Sequence, residues 1–70
     1  MKFIISYKGI LAPMYVTGFS EPMEVDDGTL ERSVNATSLR SDAKVFSEHD
    51  IEEALTLTLR CHPSAAKIAI

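Results

Sequence analysis

Cysteine is all but missing from this chain: Cys61 is the only one. A single thiol excludes an intrachain disulfide and a cysteine-based zinc site, and it accords with a reducing, cytoplasmic setting. Long apolar runs are missing too. Phe3, Ile4 and Ile5 follow a lysine as the core of a signal peptide would, but Lys8 and then Pro13 interrupt the run and no small-residue cleavage site follows. Nothing approaches the roughly 20 apolar residues of a membrane-crossing helix, and without a secretory signal the Asn35-Ala36-Thr37 glycosylation triplet carries no weight. Basic clusters are a third absence. Lys2, Lys8, Arg32, Arg40, Lys44, Arg60 and Lys67 are scattered, so no stretch tracks a phosphate backbone and direct nucleic-acid binding is disfavoured. There is no glycine-rich phosphate loop, no Ser-His-Asp set and no paired-histidine motif. These gaps point away from an enzyme, and no cofactor is expected.

What remains is an ordinary globular composition, 46% apolar and 24% charged over 70 residues, read as a single domain covering residues 1–70. A chain this short buries only roughly 60% of the surface its unfolded form exposes, so the core is thin and a second copy of the chain would help to hold it. The net charge is −3. Its excess acid lies in two groups: Glu21, Glu24, Asp26, Asp27 and Glu31 in the middle, and Glu48, Asp50, Glu52 and Glu53 further on.

Residues 2 to 7 are rich in β-branched and aromatic side chains and read as a strand that ends before Gly9. Residues 14 to 19 read as a second, antiparallel strand, which Pro13 places at or near a sheet edge. Pro22 and Asp27-Gly28 are turn signals, so residues 20 to 29 read as an acidic loop. Residues 29 to 34 fit either a third strand or irregular structure, 35 to 41 a loop or short turn, and 43 to 46 a short strand or extended segment. Ser47, three residues before Asp50, resembles the opening of a capping box, in which a hydroxyl accepts from free backbone N–H groups and carboxylates sit at the positive helix end. The helix is expected over residues 48 to 60, with Ile51, Ala54, Leu55 and Leu59 on its apolar face. Leu55-Thr56-Leu57-Thr58-Leu59 alternates like a strand, yet the cap, the glutamates, Arg60 and Pro63 favour helix. Residues 65 to 70 read as a closing strand that pairs with the first. The expected fold class is α+β: a small antiparallel sheet of three to five strands with one helix packed on one face, in the order β-β-(β)-β-α-β.

His49, Cys61 and His62 are the only residues from which a nucleophilic or soft-metal site could be built. Neighbours at a helix end point in different directions, whereas a cysteine nucleophile needs its base across a hydrogen bond. Cys61 is therefore expected to be a small buried apolar residue, His62 to meet the free carbonyls of the helix end, and His49 to be solvated. Glu24, Asp26 and Asp27 are the residue types that hard cations select, but their spacing fits no calcium loop, and no metal is expected. The helix acids serve either solubility or docking. Docking would draw on Met14, Tyr15, Phe19 and Met23 beside them, although all four suit a core equally well, and for Tyr15 and Phe19 the core is the preferred reading.

From Asp42-Ala43-Lys44-Val45-Phe46-Ser47 into Ile51-Glu52-Glu53-Ala54 the chain resembles very small phage and prophage accessory proteins, in which a strand-rich half is followed by a helix and a short strand. The resemblance implies non-enzymatic work in the cytoplasm of a host: blocking a host defence or nucleic-acid-binding protein, as anti-CRISPR and other anti-defence proteins do, with acidic surface where nucleic acid would lie. The expected function is thus that of a small acidic inhibitor binding a larger, basic-surfaced protein through Glu21, Glu24, Asp26, Asp27, Glu48, Asp50, Glu52 and Glu53. The alternative is a self-associating accessory domain that pairs a sheet edge or apolar face with a second copy.

Overall fold

A computed structural model describes residues 1–24, 28 and 30–70. Its centre is strand β1 (Lys2–Lys8), where Ile4 and Ile5 are both buried. Successive side chains of a strand point to opposite faces, so β1 is covered on both. It is also paired along both edges. Phe3 is opposite Phe46 and Ala69, and Ser6 is opposite Tyr15 and Ala66. Strand β7 (Ala66–Ala69) therefore runs along one edge, while β2 (Pro13–Phe19) and β6 (Phe46–Ser47) share the other.

That shared edge makes the sheet curl. Beyond Tyr15, β2 leaves β1 and runs antiparallel to β5 (Val34–Thr37), with a bulge between Val16 and Gly18 that increases the local twist. After a 3-10 turn at Arg40–Asp42, the chain drops into the gap: the Lys44 N–H donates to the Val16 carbonyl at 2.9 Å, and β6 then pairs with Lys2 and Phe3. Short strands β3 (Met23–Glu24) and β4 (Leu30–Glu31) form a separate hairpin. Helix α1 (Ile51–Cys61) lies on one face of the curled sheet. Ile5, Val16, Phe46, Ile51 and Ala54 form the buried core, with Phe3, Tyr7, Phe19, Val34, Leu55 and Ala65 packed around it.

The expected α+β class, the closing strand on β1 and the helix over the Leu-Thr alternation are all present. Several details differ. Residues 35 to 37, expected in a loop, belong to β5 because β2 offers them backbone partners. Pro13 does open β2, but β2 is an interior strand between β1 and β5; the proline is accommodated at its first residue, where a missing N–H costs least. The acidic segment expected as a loop contains β3, and residues 25–27 and 29 of it lie outside the described residues. The helix starts at Ile51 because residues 48 to 50 form a turn, in which the Asp50 N–H donates to Ser47 O at 3.2 Å and to Ser47 Oγ at 3.3 Å. Ser47 Oγ in turn donates to Asp50 Oδ2 at 3.1 Å. The serine-carboxylate box exists, then, but it closes a turn ahead of the helix.

The helix is also rotated from the expected face. Leu59 is 40% exposed, whereas Thr58 is fully buried. At about 100° per residue Thr58 falls between Ile51 and Ala54, and Leu59 is roughly 100° from their centre. A threonine is tolerated at that place because Thr58 Oγ1 donates to the Ala54 carbonyl at 2.8 Å, leaving no unpaired hydroxyl. Thr56 is bonded to Glu52 O in the same way.

Candidate partner-binding surfaces

The acids of the helix start are gathered at the end of the molecule where β1 begins, since β6 pairs with Lys2 and Phe3 and leads straight into the turn before α1. Glu48, Asp50, Glu52 and Glu53 are all exposed. Two already have cationic partners. Glu48 Oε1 is 3.0 Å from the Met1 amino group, and Glu52 Oε1 is 2.7 Å from Lys67 Nζ. Asp50 is held by Ser47, and Glu53 makes no ion pair among the described residues.

Asp50 and Glu53 form one wall of a groove of about 260 Å³, with Arg32 and Lys44 also lining it and Phe19, Phe46 and Leu57 supplying apolar surface. Lys44 Nζ stands 5.5 Å from the centre of the Phe46 ring, a cation–π distance that keeps its stem on the groove surface. Among the expected docking residues, Phe19 is half-buried and packs on the core, 6.4 Å from Phe46, and Tyr15 and Met14 are half-buried elsewhere on β2. Glu21 and Glu24 are exposed in and before β3, apart from the helix acids in sequence and in sheet. Asp26 and Asp27 lie outside the described residues.

At the opposite end, helix and sheet terminate differently from expectation. Cys61 is exposed rather than buried: it lies within about 20° of Ala54 around the helix axis, but it is the last residue of α1 and is left in solvent. The backbone N–H of His62 caps the helix on Thr58 O at 2.8 Å, but its imidazole lies flat against Tyr7, with ring centres 3.8 Å apart and planes 8° from parallel. The ring thus packs on β1 instead of meeting the helix carbonyls. His49 is exposed, as expected. No three of the described His, Cys, Asp and Glu residues gather as a metal site would require, and no described helix is long and apolar enough to cross a membrane.

Beside the Tyr7–His62 stack stands the feature that sequence reasoning passed over. Lys8 pairs with Pro13, and the turn between them is Gly9-Ile10-Leu11-Ala12. Ile10 is 102% exposed and Leu11 98%. The turn is tight: a Cβ on Gly9 would stand 2.3 Å from the Ala12 carbonyl oxygen, so only glycine fits there. The missed signal was an apolar turn bracketed by glycine and proline, where polar residues are the rule. Grooves flank the tip on either side. One, of about 640 Å³, is lined by Tyr7, Met14 and His62 together with the tip itself; the other, of about 560 Å³, by Ala66, Ile68 and the tip.

No family model, curated protein or solved structure matches this chain.

Proposed function

We propose that this chain is a small, acidic, non-enzymatic binding protein that occupies the surface of a larger cytoplasmic protein, in the manner of a phage-type inhibitor blocking a host defence or nucleic-acid-binding protein. The observation that carries this reading is the concentration of exposed Glu48, Asp50, Glu52 and Glu53 at one end of the molecule, where Asp50 and Glu53 line a groove together with Phe19, Phe46 and Leu57. Carboxylates on a helix start steer a basic partner and fix its orientation. The groove beside them offers burial to the stem of an inserted side chain. Glu48 and Glu52 are engaged within the chain, so Asp50 and Glu53 are the acids left for a partner's cation. Glu21, Glu24, Asp26 and Asp27 are the second proposed set of contacts.

The test begins with the tagged protein and a partner isolated from host lysate in a salt-sensitive manner. The double substitution Asp50→Lys and Glu53→Lys is expected to weaken binding at least about tenfold at physiological salt, with a smaller loss at high salt. Binding that is indifferent to both the reversal and the salt would refute the acidic-end reading.

A further inference from the structure

We infer that the turn at Gly9-Ile10-Leu11-Ala12 is a dimerisation clasp: the tip of one copy seats in the Tyr7–Met14–His62 groove of a second copy, and the second tip seats in the first. The exposure of Ile10 and Leu11 is the first ground. Isolated apolar residues on a surface are normal, but two adjacent large ones at full exposure on a turn whose backbone closes tightly between Gly9 and Ala12 are an anchor without its pocket.

The second ground is that knob and groove belong to the same loop. Residues 9–12 form the tip and also line the groove next to it. In a contact around a twofold axis, residue i of one copy meets residue j of the other while j meets i, so a surface carrying both complementary parts side by side closes on itself and saturates at two copies. The groove is suited to that role. The Tyr7–His62 stack gives it a flat, fixed wall, and Met14 supplies a pliable one.

Charge distinguishes the occupant. Among the described residues, Lys8 is the only charged one lining either groove; Glu24 belongs to a neighbouring groove with Arg32, Cys61 and His62. The helix acids sit at the other end of β1, whose seven residues span about 20 Å at roughly 3.3 Å each. Two copies that meet tip to tip hold those acids some 40 Å apart, several times the screening length of about 8 Å at physiological salt. A tip-to-tip contact therefore brings together none of the helix acids, and no described carboxylate lines either groove. A basic partner is drawn to the opposite end. The clasp would leave both acidic ends outward, making a bivalent binder.

Sedimentation of the full chain over a dilution series tests the inference, in low and in high salt. A dimer that dissociates on dilution and is not weakened by salt is expected, because among the described residues the contact is largely apolar and its charges are two lysines, whose mutual repulsion salt screens. Ile10→Asp combined with Leu11→Asp should raise the dissociation constant at least about a hundredfold without altering the far-ultraviolet circular dichroism. Amide chemical shifts of the unmodified chain on dilution provide a check that needs no variant: changes should centre on residues 7–14 and on His62. A wild type that is monomeric at its solubility limit overturns the clasp, as do shift changes confined to residues 48–53 or a double variant that dimerises as the wild type does. The acidic-end substitutions Asp50→Lys and Glu53→Lys should leave the dimer intact, so failure of one reading does not carry the other with it.

Discussion

The same chemical deletion, isoleucine to alanine, should have opposite consequences at positions 5 and 10. Ile5 is 0% exposed at the centre of β1 and belongs to the core with Val16, Phe46, Ile51 and Ala54, whereas Ile10 is 102% exposed at the tip. Removing a buried isoleucine to alanine costs about 2–5 kcal/mol, through lost transfer energy and the cavity left behind. The whole chain, at about 0.05–0.15 kcal/mol per residue, is worth roughly 3.5–10 kcal/mol. Ile5→Ala should therefore remove about half the stability. For a domain of this size a loss of about 3 kcal/mol lowers Tm by roughly 12–24 °C. With a urea slope near 1 kcal/mol/M it moves the midpoint by on the order of 3 M. Ile10→Ala removes no intrachain burial and should stay within about 0.5 kcal/mol of wild type. Far-ultraviolet circular dichroism follows both, at a protein concentration low enough that dimer dissociation does not enter the transition. The reasoning fails if Ile5→Ala costs less than about 1 kcal/mol, or if the Ile10 variant is destabilised comparably in the monomer.

Three further outcomes follow from local geometry. Gly9→Ala should destabilise by about 1–3 kcal/mol in urea melts, since the new methyl meets backbone at 2.3 Å, while Gly18→Ala, with nothing within 4 Å and no left-handed backbone, should be neutral or slightly stabilising. Cys61 should react with a thiol reagent in the native state at nearly the rate of a free peptide thiol, and modification should leave the melting curve in place; protection until unfolding would contradict its exposure. Lys67→Ala should cost no more than about 1 kcal/mol, and a double-mutant cycle with Glu52→Gln should lose its coupling in high salt, because both partners are substantially exposed.

The legible elements were those whose own residues carry the signal. Phe3, Ile4, Ile5 and Tyr7 declare a strand, and Ile51, Ala54, Arg60 and Pro63 outweigh the alternation of Leu55 to Leu59. Strand β5 was not legible. Val34-Asn35-Ala36-Thr37 has little strand character of its own and is extended because β2 presents a row of unpaired backbone groups to it. The site was read from charge alone, and charge does not say which acids are already paired. Only the fold brings Lys67 to Glu52 and the Met1 amino group to Glu48.

Two pairs of residues mark the division most clearly. Ser47 and Asp50 are three apart, and their mutual hydrogen bonds are local chemistry that the sequence determines alone. Thr58 and Leu59 are neighbours, and hydropathy puts the leucine inside. The packed sheet reverses them because Ile51 and Ala54 set the rotation of α1 and the Ala54 carbonyl satisfies the threonine. In the same way, composition determined a small acidic α+β domain, but whether Ile10 and Leu11 were core or surface depended on where β2 turned back along β1. Local patterns select elements through short-range sterics and capping; the burial of a particular side chain is set by distant partners, which the fold alone supplies.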